Sequence, residues 1–451
     1  MPLSMARSIT RASLRATRRA LARVDVSWRH LIVAALVGAL GALAVEGFRW
    51  VLFALEAAFV GAHGGHLVAA ARALDPGLRV LAPAIGGLAA GVLLWLAERS
   101  RAAVVPPHGG DYIEVVVIGD GRLNLRDGVL KVLASLLVVS TGGAVGREGA
   151  MVLLAAMLAS ALGRLLGRTV EPRLVVSCGA AAGLAAAYHA PLAGAVFVAE
   201  ILLGSLALAQ LGPVVVAAVM AYGVTVVLGG RAVLFAVAPG SLPGAWQLAP
   251  MLAASVVAGF AGAALLRWLT LARALFVRLA LPLPLAFALG GLVVGLLSWW
   301  RPEVWGNGYS SIEQQLQAAG AWQVVALVLV LKIIAIGATT GSGAPGGVFT
   351  PTLFVGAAFG TLLAAALHAL GATQAVEPIY AVLGMAVLLA ATTHAPVMAA
   401  LMVFEMTGRY DLLAVLLPAC VVAALVSRHL HPISVYGLGS ASLSVPRQLP
   451  G

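Results

Sequence analysis

The chain has 451 residues, of which 61% are hydrophobic and 10% charged, with a net charge of +11 and a mean hydropathy of +1.02. An ordinary soluble domain carries about 25% charged residues, so this composition excludes a soluble enzyme, a disordered chain and a nucleic-acid binder working in bulk water. It leaves an all-α polytopic membrane protein; a transmembrane β-barrel would alternate polar and apolar residues, whereas here the apolar residues run in long blocks.

Residues 1–30 hold seven arginines (Arg7, Arg11, Arg15, Arg18, Arg19, Arg23 and Arg29) against one acid, Asp25. Ahead of a membrane chain this reads as a cytoplasmic lead that sets orientation by the positive-inside rule, its arginines facing anionic head groups. The basic stretch is too long, and the small-residue cleavage site too poorly defined, for a signal peptide. Apolar blocks follow at about 31–60, 79–97, 129–139, 148–166, 174–188, 191–206, 211–228, 249–299 (broken near Pro282 and Pro284), 322–338, 349–370, 379–391, 396–406 and 412–427. Several are shorter than the ~20 residues that cross a bilayer. Polar sequence punctuates them at 106–127 and 301–313, and 431–451 is expected to be a short cytoplasmic tail. Cys178 and Cys420 sit alone in apolar runs and read as buried small hydrophobes.

The chain repeats itself. Residues 179–200, GAAAGLAAAYHAPLAGAVFVAE, lie in register over 384–405, GMAVLLAATTHAPVMAALMVFE, so that His189, Ala190 and Pro191 meet His394, Ala395 and Pro396, and Glu200 meets Glu405. A weaker echo sets Gly143, Ala144 and Gly146 over Gly343, Ala344 and Gly346. Two related halves follow, 31–230 and 249–430. Duplicated halves with short, glycine-interrupted helices point to a transporter or channel whose site is built from broken helix ends near the midplane.

Two glycine-rich turns, 142–149 and 341–351, each feed an apolar run of helix length. A turn entering a helix presents its first N–H groups and the positive end of the dipole, which together suit an anion. Small residues also allow close helix packing in membranes, so the glycines by themselves leave both uses open. Gly341, Gly343 and Gly346 fit G-x-G-x-x-G, but a dinucleotide site needs a strand and a soluble βαβ unit around it. Glu148 opens the run after the first turn. An ionised carboxylate there costs about 2.5–3.5 kcal/mol on insertion scales. It is itself an anion, so it can occupy the site of a permeating ion and release it on protonation; the plainer use is an acidic N-terminal cap. Glu200 and Glu405 suit a shared structural role, and His189 and His394 suit turns. No HExxH, GxSxG or Cys/His cluster is present, so no enzyme activity, metal or cofactor is expected.

At these turns the sequence resembles the CLC chloride channel and transporter family. GREGA at 146–150 resembles its GREGP motif, GGVFTP at 346–351 its GxFxP motif, and Pro-Ile-Ser-Val-Tyr436 its last pore helix. The resemblance covers roughly 31–440 and is nearest the family's bacterial members. It implies a homodimer in a bacterial inner membrane, with an ion path in each subunit, two inverted repeats of tilted and partly broken helices, and no regulatory CBS domains. It assigns gating to Glu148, the outer anion position to N–H groups of Gly146, Arg147 and Gly149, the central one to those of Val348 and Phe349, and its inner closure to the Tyr436 hydroxyl. The family's GSGIP serine falls on His108, or on Gly109 or Gly110 with a small shift, so no hydroxyl is assured there. The internal proton-transfer glutamate falls on Ile201, with Glu200 one position early, a turn of about 100° on a helix. The expected function is a glutamate-gated, voltage- and pH-dependent chloride channel; the alternatives are a proton-coupled antiporter with Glu148 and Glu200 on the proton path, a relative tuned to fluoride or nitrate, and an integral-membrane enzyme.

Overall fold

The computed structural model describes residues 25–62, 66–100, 112–117, 119–203, 208–229, 233–238, 248–317, 320–371 and 377–437. Helices fill nearly all of it. In chain order they are α1 (Val26–Val60), α2 (Leu67–Ala73), α3 (Pro76–Arg99), α4 (Tyr112–Val117), α5 (Leu125–Ser140), α6 (Glu148–Leu166), α7 (Pro172–Tyr188), α8 (Pro191–Phe197), α9 (Leu208–Val227), α10 (Leu248–Arg278), α11 (Leu283–Ser298), α12 (Tyr309–Gln317), α13 (Trp322–Ser342), α14 (Phe349–Ala369), α15 (Glu377–Thr393), α16 (Pro396–Thr407) and α17 (Leu413–Leu430). Each apolar block read from the sequence carries a helix, and the break near Pro282 separates α10 from α11. The fold is all-α, as expected.

Local chemistry sets the boundaries. Asp25 accepts the N–H of Ser27 at 2.9 Å and starts α1 within the Arg-rich segment. Asp75 caps α3, accepting from Gly77 at 2.8 Å, with Pro76 at the first helical position. Among the described residues, seven helical stretches are long and apolar enough to cross a membrane, the longest being Val26–Val60. At 1.5 Å per residue its 35 residues run about 52 Å, longer than a hydrocarbon core of about 30 Å, so α1 is long enough to span one with tilt.

The described chain gathers into two compact units. One draws on the described residues within Met1–Gly47, Pro106–Val129 and Met151–Ala232. Glycine allows close packing there: a Cβ on Gly183 of α7 would lie 2.8 Å from Cα of Val152 on α6, a distance that real Cβ atoms do not reach. The other draws on the described residues within Phe48–Val105, Leu130–Ala150 and Val233–Gly451. There Gly87 and Gly91 of α3 meet the backbone of Phe287 and Pro284, while Gly291 and Gly295 of α11 meet that of Pro83 and Val80. Backbones approach this closely only where side chains are absent.

The two His-Ala-Pro stretches have one local geometry. His189 and His394 both have φ of 58°, Ala190 and Ala395 share nearly the same backbone at φ −128°, ψ 79° and φ −122°, ψ 79°, and each proline opens the next helix. A histidine in the left-handed region ends a helix at modest strain, which accounts for the turn role read from the sequence. The pair differs further on. Glu405 continues a regular α-helix, whereas Glu200 lies in a π-helical turn, Val198–Leu203.

Candidate anion site and gate

Both glycine turns belong to the second unit. α5 ends at Ser140, and Gly142 takes φ of 101° to turn the chain. The turn is tied on two sides: Ala144 donates its N–H to Oγ1 of Thr339 at 3.3 Å, and Gly306 donates to the carbonyl of Gly142 at 3.2 Å. The second turn leaves α13 through Gly343, left-handed at φ 90°, and enters α14 with Val348 as its N-cap and Phe349 as its first residue. Gly146 and Gly347 then pair, the N–H of each donating to the other's carbonyl at 2.6 and 2.8 Å. A Cβ on Gly346 would strike the Val145 side chain, so this approach needs glycine. Two helix starts are thereby fastened side by side, their first-turn N–H groups having no acceptor within their own helices.

Glu148 is the first residue of α6 and only 2% exposed. Its side chain curls back over its own turn: the Oε2 atom stands where a Cβ on Gly146 would be. Among the described residues Oε2 has no hydrogen-bond partner. Oε1 accepts from Nδ2 of Asn307 at 3.1 Å and lies 3.9 Å from Nε of Arg147. The Arg147 guanidinium sits over the rings of Phe53 and Tyr309, 5.6 and 5.1 Å from their centroids. Aromatic faces favour a cation that is drawn out of water. A helix start, a caged arginine and an amide donor therefore converge on one carboxylate.

Of the residues expected to hold anions, Arg147 and Gly149 lie at the start of α6, and Val348 and Phe349 at the start of α14. The Gly146 N–H is engaged by Gly347. Tyr436 lies half-buried in a helical turn at 435–437. Glu200 lies half-buried in its π-helical turn in the first unit. His108, Gly109 and Gly110 lie outside the described residues. Among the described residues, no group of three His, Cys, Asp or Glu side chains is arranged to hold a metal.

Sequence reasoning missed three residues. Asn307 and its loop read as polar punctuation. Lys332 is fully buried and donates to the carbonyls of Val304, Trp305 and Gly306 at 2.7, 3.2 and 2.6 Å. Glu56 of α1 is 3% exposed, within electrostatic reach of Arg147. The signal for Lys332 was a lone charge within an apolar run, whereas Glu56 shares its run with Glu46 and Arg49.

A family model described as voltage gated chloride channel matches residues 107–428. The chain belongs to this family, the CLC proteins. It is 46% identical over 411 residues, 91% of its own length and 98% of the relative's, to a voltage-gated ClC-type chloride channel ClcB of Escherichia coli O81 (strain ED1a), and equally so to the ClcB of E. coli O6:H1 (strain CFT073). Among solved structures it resembles a slow cyanobacterial Cl−/H+ antiporter, with a TM-score of 0.79 at 24% identity, covering 94% of this chain and all of that one. It also resembles a CLC-type fluoride/proton antiporter, with a TM-score of 0.72 at 23% identity, covering 91% and 97%. These structural likenesses establish the CLC fold for the chain.

Proposed function

We propose that the chain conducts chloride across a bacterial inner membrane through a CLC pore, and that the Glu148 carboxylate closes that pore. The observation that carries the reading is the seat of Glu148: a buried carboxylate folded over a glycine turn, at a helix start fastened to a second helix start. Such a seat suits any small anion. While the carboxylate fills it, the pore is shut by the site's own ligand. Protonation removes the charge that the helix dipole and Arg147 attract, and the side chain gives way to chloride. Arg147 and Gly149 serve the outer position, and Val348, Phe349 and Tyr436 the inner ones. The family resemblance supports a homodimer of inverted repeats with its N-terminus in the cytoplasm. The shared geometry of the two His-Ala-Pro turns supports the repeat.

One observation favours proton-coupled exchange as a second reading. Glu200 stands one position before the residue where the family's proton glutamate is expected, and it lies in a π-helical turn. Such a turn holds an extra residue and shifts the helical phase. The structural neighbours named as antiporters add weight.

Both readings are tested by efflux from chloride-loaded proteoliposomes, with the potential held near zero and external pH recorded. Glu148→Ala should raise chloride flux and remove its pH dependence; parental behaviour of that variant would overturn the gate. Uphill proton movement driven by chloride marks an exchanger, and its loss in Glu200→Gln would assign the proton path. A flat pH trace marks a channel.

A further inference from the structure

We propose that Asn307 is the latch that keeps the Glu148 carboxylate seated, and that Lys332 is the positioning residue that holds Asn307 in place. The inference rests on the reading of Glu148 as the gate.

The amide of Asn307 is oriented by its own loop. Its Oδ1 accepts the backbone N–H of Tyr309 at 3.3 Å, which leaves the Nδ2 donors for Oε1 of Glu148. A donor facing a carboxylate stabilises the charged form more than the neutral one. The bond therefore favours the state in which the gate is ionised and seated. Carboxylic acid in its place would still accept, but weakly, so the latch loosens when the proton arrives.

The loop carrying Asn307 has little helical support of its own: a short 3-10 turn, Pro302–Val304, then Trp305, Gly306 and Asn307. Lys332 supplies the anchor. Its ammonium has three donors, and three consecutive carbonyls, those of Val304, Trp305 and Gly306, receive them. The Phe354 ring lies 5.8 Å from Nζ. A buried charge without such partners is strongly unfavourable, so the ammonium draws the three carbonyls into one fixed arrangement. The loop is also pinned to the first glycine turn. Gly306 donates to Gly142, and the fully buried Trp305 ring occupies the place of a Gly142 side chain. The ion turn and the latch are thus one assembly, so a shift of the loop moves Asn307 relative to Glu148.

Other charges face the same group and must be held constant. Arg147 adjoins Glu148 on the turn. Glu56 acts on Arg147 from α1. Tyr309 of α12 lies under Arg147, its hydroxyl interacts with the Glu148 carboxylate, and it is influenced by Arg49 of α1. A change at 307 or 332 leaves the identity of these groups intact, although Asn307→Ala also removes the acceptor of the Tyr309 backbone N–H.

The experiment is the pH profile of chloride efflux from proteoliposomes, in the parent and in Glu148→Ala. Asn307→Ala should move the pH of half-maximal flux upward by about one to two units, the size expected for loss of a hydrogen bond to a charged group. In the Glu148→Ala background it should change nothing. Lys332→Met should give the same upward shift, without adding to that of Asn307→Ala, and Lys332→Arg should restore the parental profile. Should Lys332→Met not yield folded protein, Lys332→Gln, with one donor group for three carbonyls, carries the same comparison. An unmoved profile in Asn307→Ala, with Glu148→Ala open at every pH, overturns the latch and leaves the gate standing. A shift in Asn307→Ala that persists without Glu148 also overturns it. Parental flux and profile in Glu148→Ala would instead remove the gate on which both rest.

Discussion

Gly146 and Gly347 exchange two backbone hydrogen bonds, at 2.6 and 2.8 Å, although 200 residues of chain separate them. This single rung sets two helix starts at a fixed spacing. A Cβ added on Gly146 would strike Oε2 of Glu148 and lie 3.1 Å from the Gly347 carbonyl oxygen.

Gly146→Ala should therefore act as a gate mutation although it changes no charge. Gly146 is not among the positive-φ residues, so alanine is compatible with its backbone. The methyl group meets the far end of a flexible carboxylate on one side and a fixed carbonyl on the other, and the carboxylate gives way. Chloride flux at neutral pH should rise towards that of Glu148→Ala. Flux equal to the parent in a folded Gly146→Ala protein would show that the carboxylate has a second seat as good as the first.

Much of this site is legible in the sequence because it is local. A glycine turn feeding an apolar helix, with an acid at the first helical position, needs no long-range contact to be recognised. The duplicated His-Ala-Pro turns are legible for the same reason. Asn307 is not, since it meets Glu148 across 159 residues, and its loop has the look of any polar connection. Lys332 shows as a lone cation in an apolar run, but its partners are backbone carbonyls, which no side-chain pattern announces. The Gly146 N–H was expected to face an anion. It is bonded instead to a glycine whose position only the tertiary fold supplies.

Arg147 lies 3.9 Å from the carboxylate of Glu148, the proposed gate, and its aromatic cage predicts how it acts there. Arg147→Gln removes a charge that attracts any anion entering the seat. Half-maximal flux should then need roughly tenfold more chloride, about 1.4 kcal/mol, of the order of one charge interaction at a partly buried site. Arg147→Lys keeps the charge but not the planar group that lies over Phe53 and Tyr309, so it should fall between the parent and the glutamine variant. Equal chloride dependence in all three proteins would place the ion path away from this side chain.

The glycine seam between α3 and α11 should govern stability rather than transport. Gly291→Val and Gly295→Val each drive a side chain into a backbone carbonyl, of Pro83 and Val80 respectively, and a backbone cannot rotate aside. Each should cost about 1–3 kcal/mol, seen as a lower midpoint in thermal unfolding in detergent. Gly47→Ala is the control, because nothing stands within 4 Å of its added Cβ. A seam variant as stable as this control would mean that α3 and α11 separate without loss.

His394 should make stability depend on pH. It lies in the turn between α15 and α16, and burial, with Arg428 and His431 nearby, pushes its imidazole down to about 4. The ordinary value is 6.5. Between those two values the unfolded chain binds the proton and the folded chain does not, so stability is fully present above about pH 6.5 and falls as pH drops towards 4. His394→Asn keeps a residue that tolerates the left-handed backbone at φ 58° and cannot titrate. Its unfolding midpoint should vary less than the parent's from pH 6.5 to 4, with the two proteins differing least in slope above pH 7. A parental slope in His394→Asn would assign the acid sensitivity to other groups.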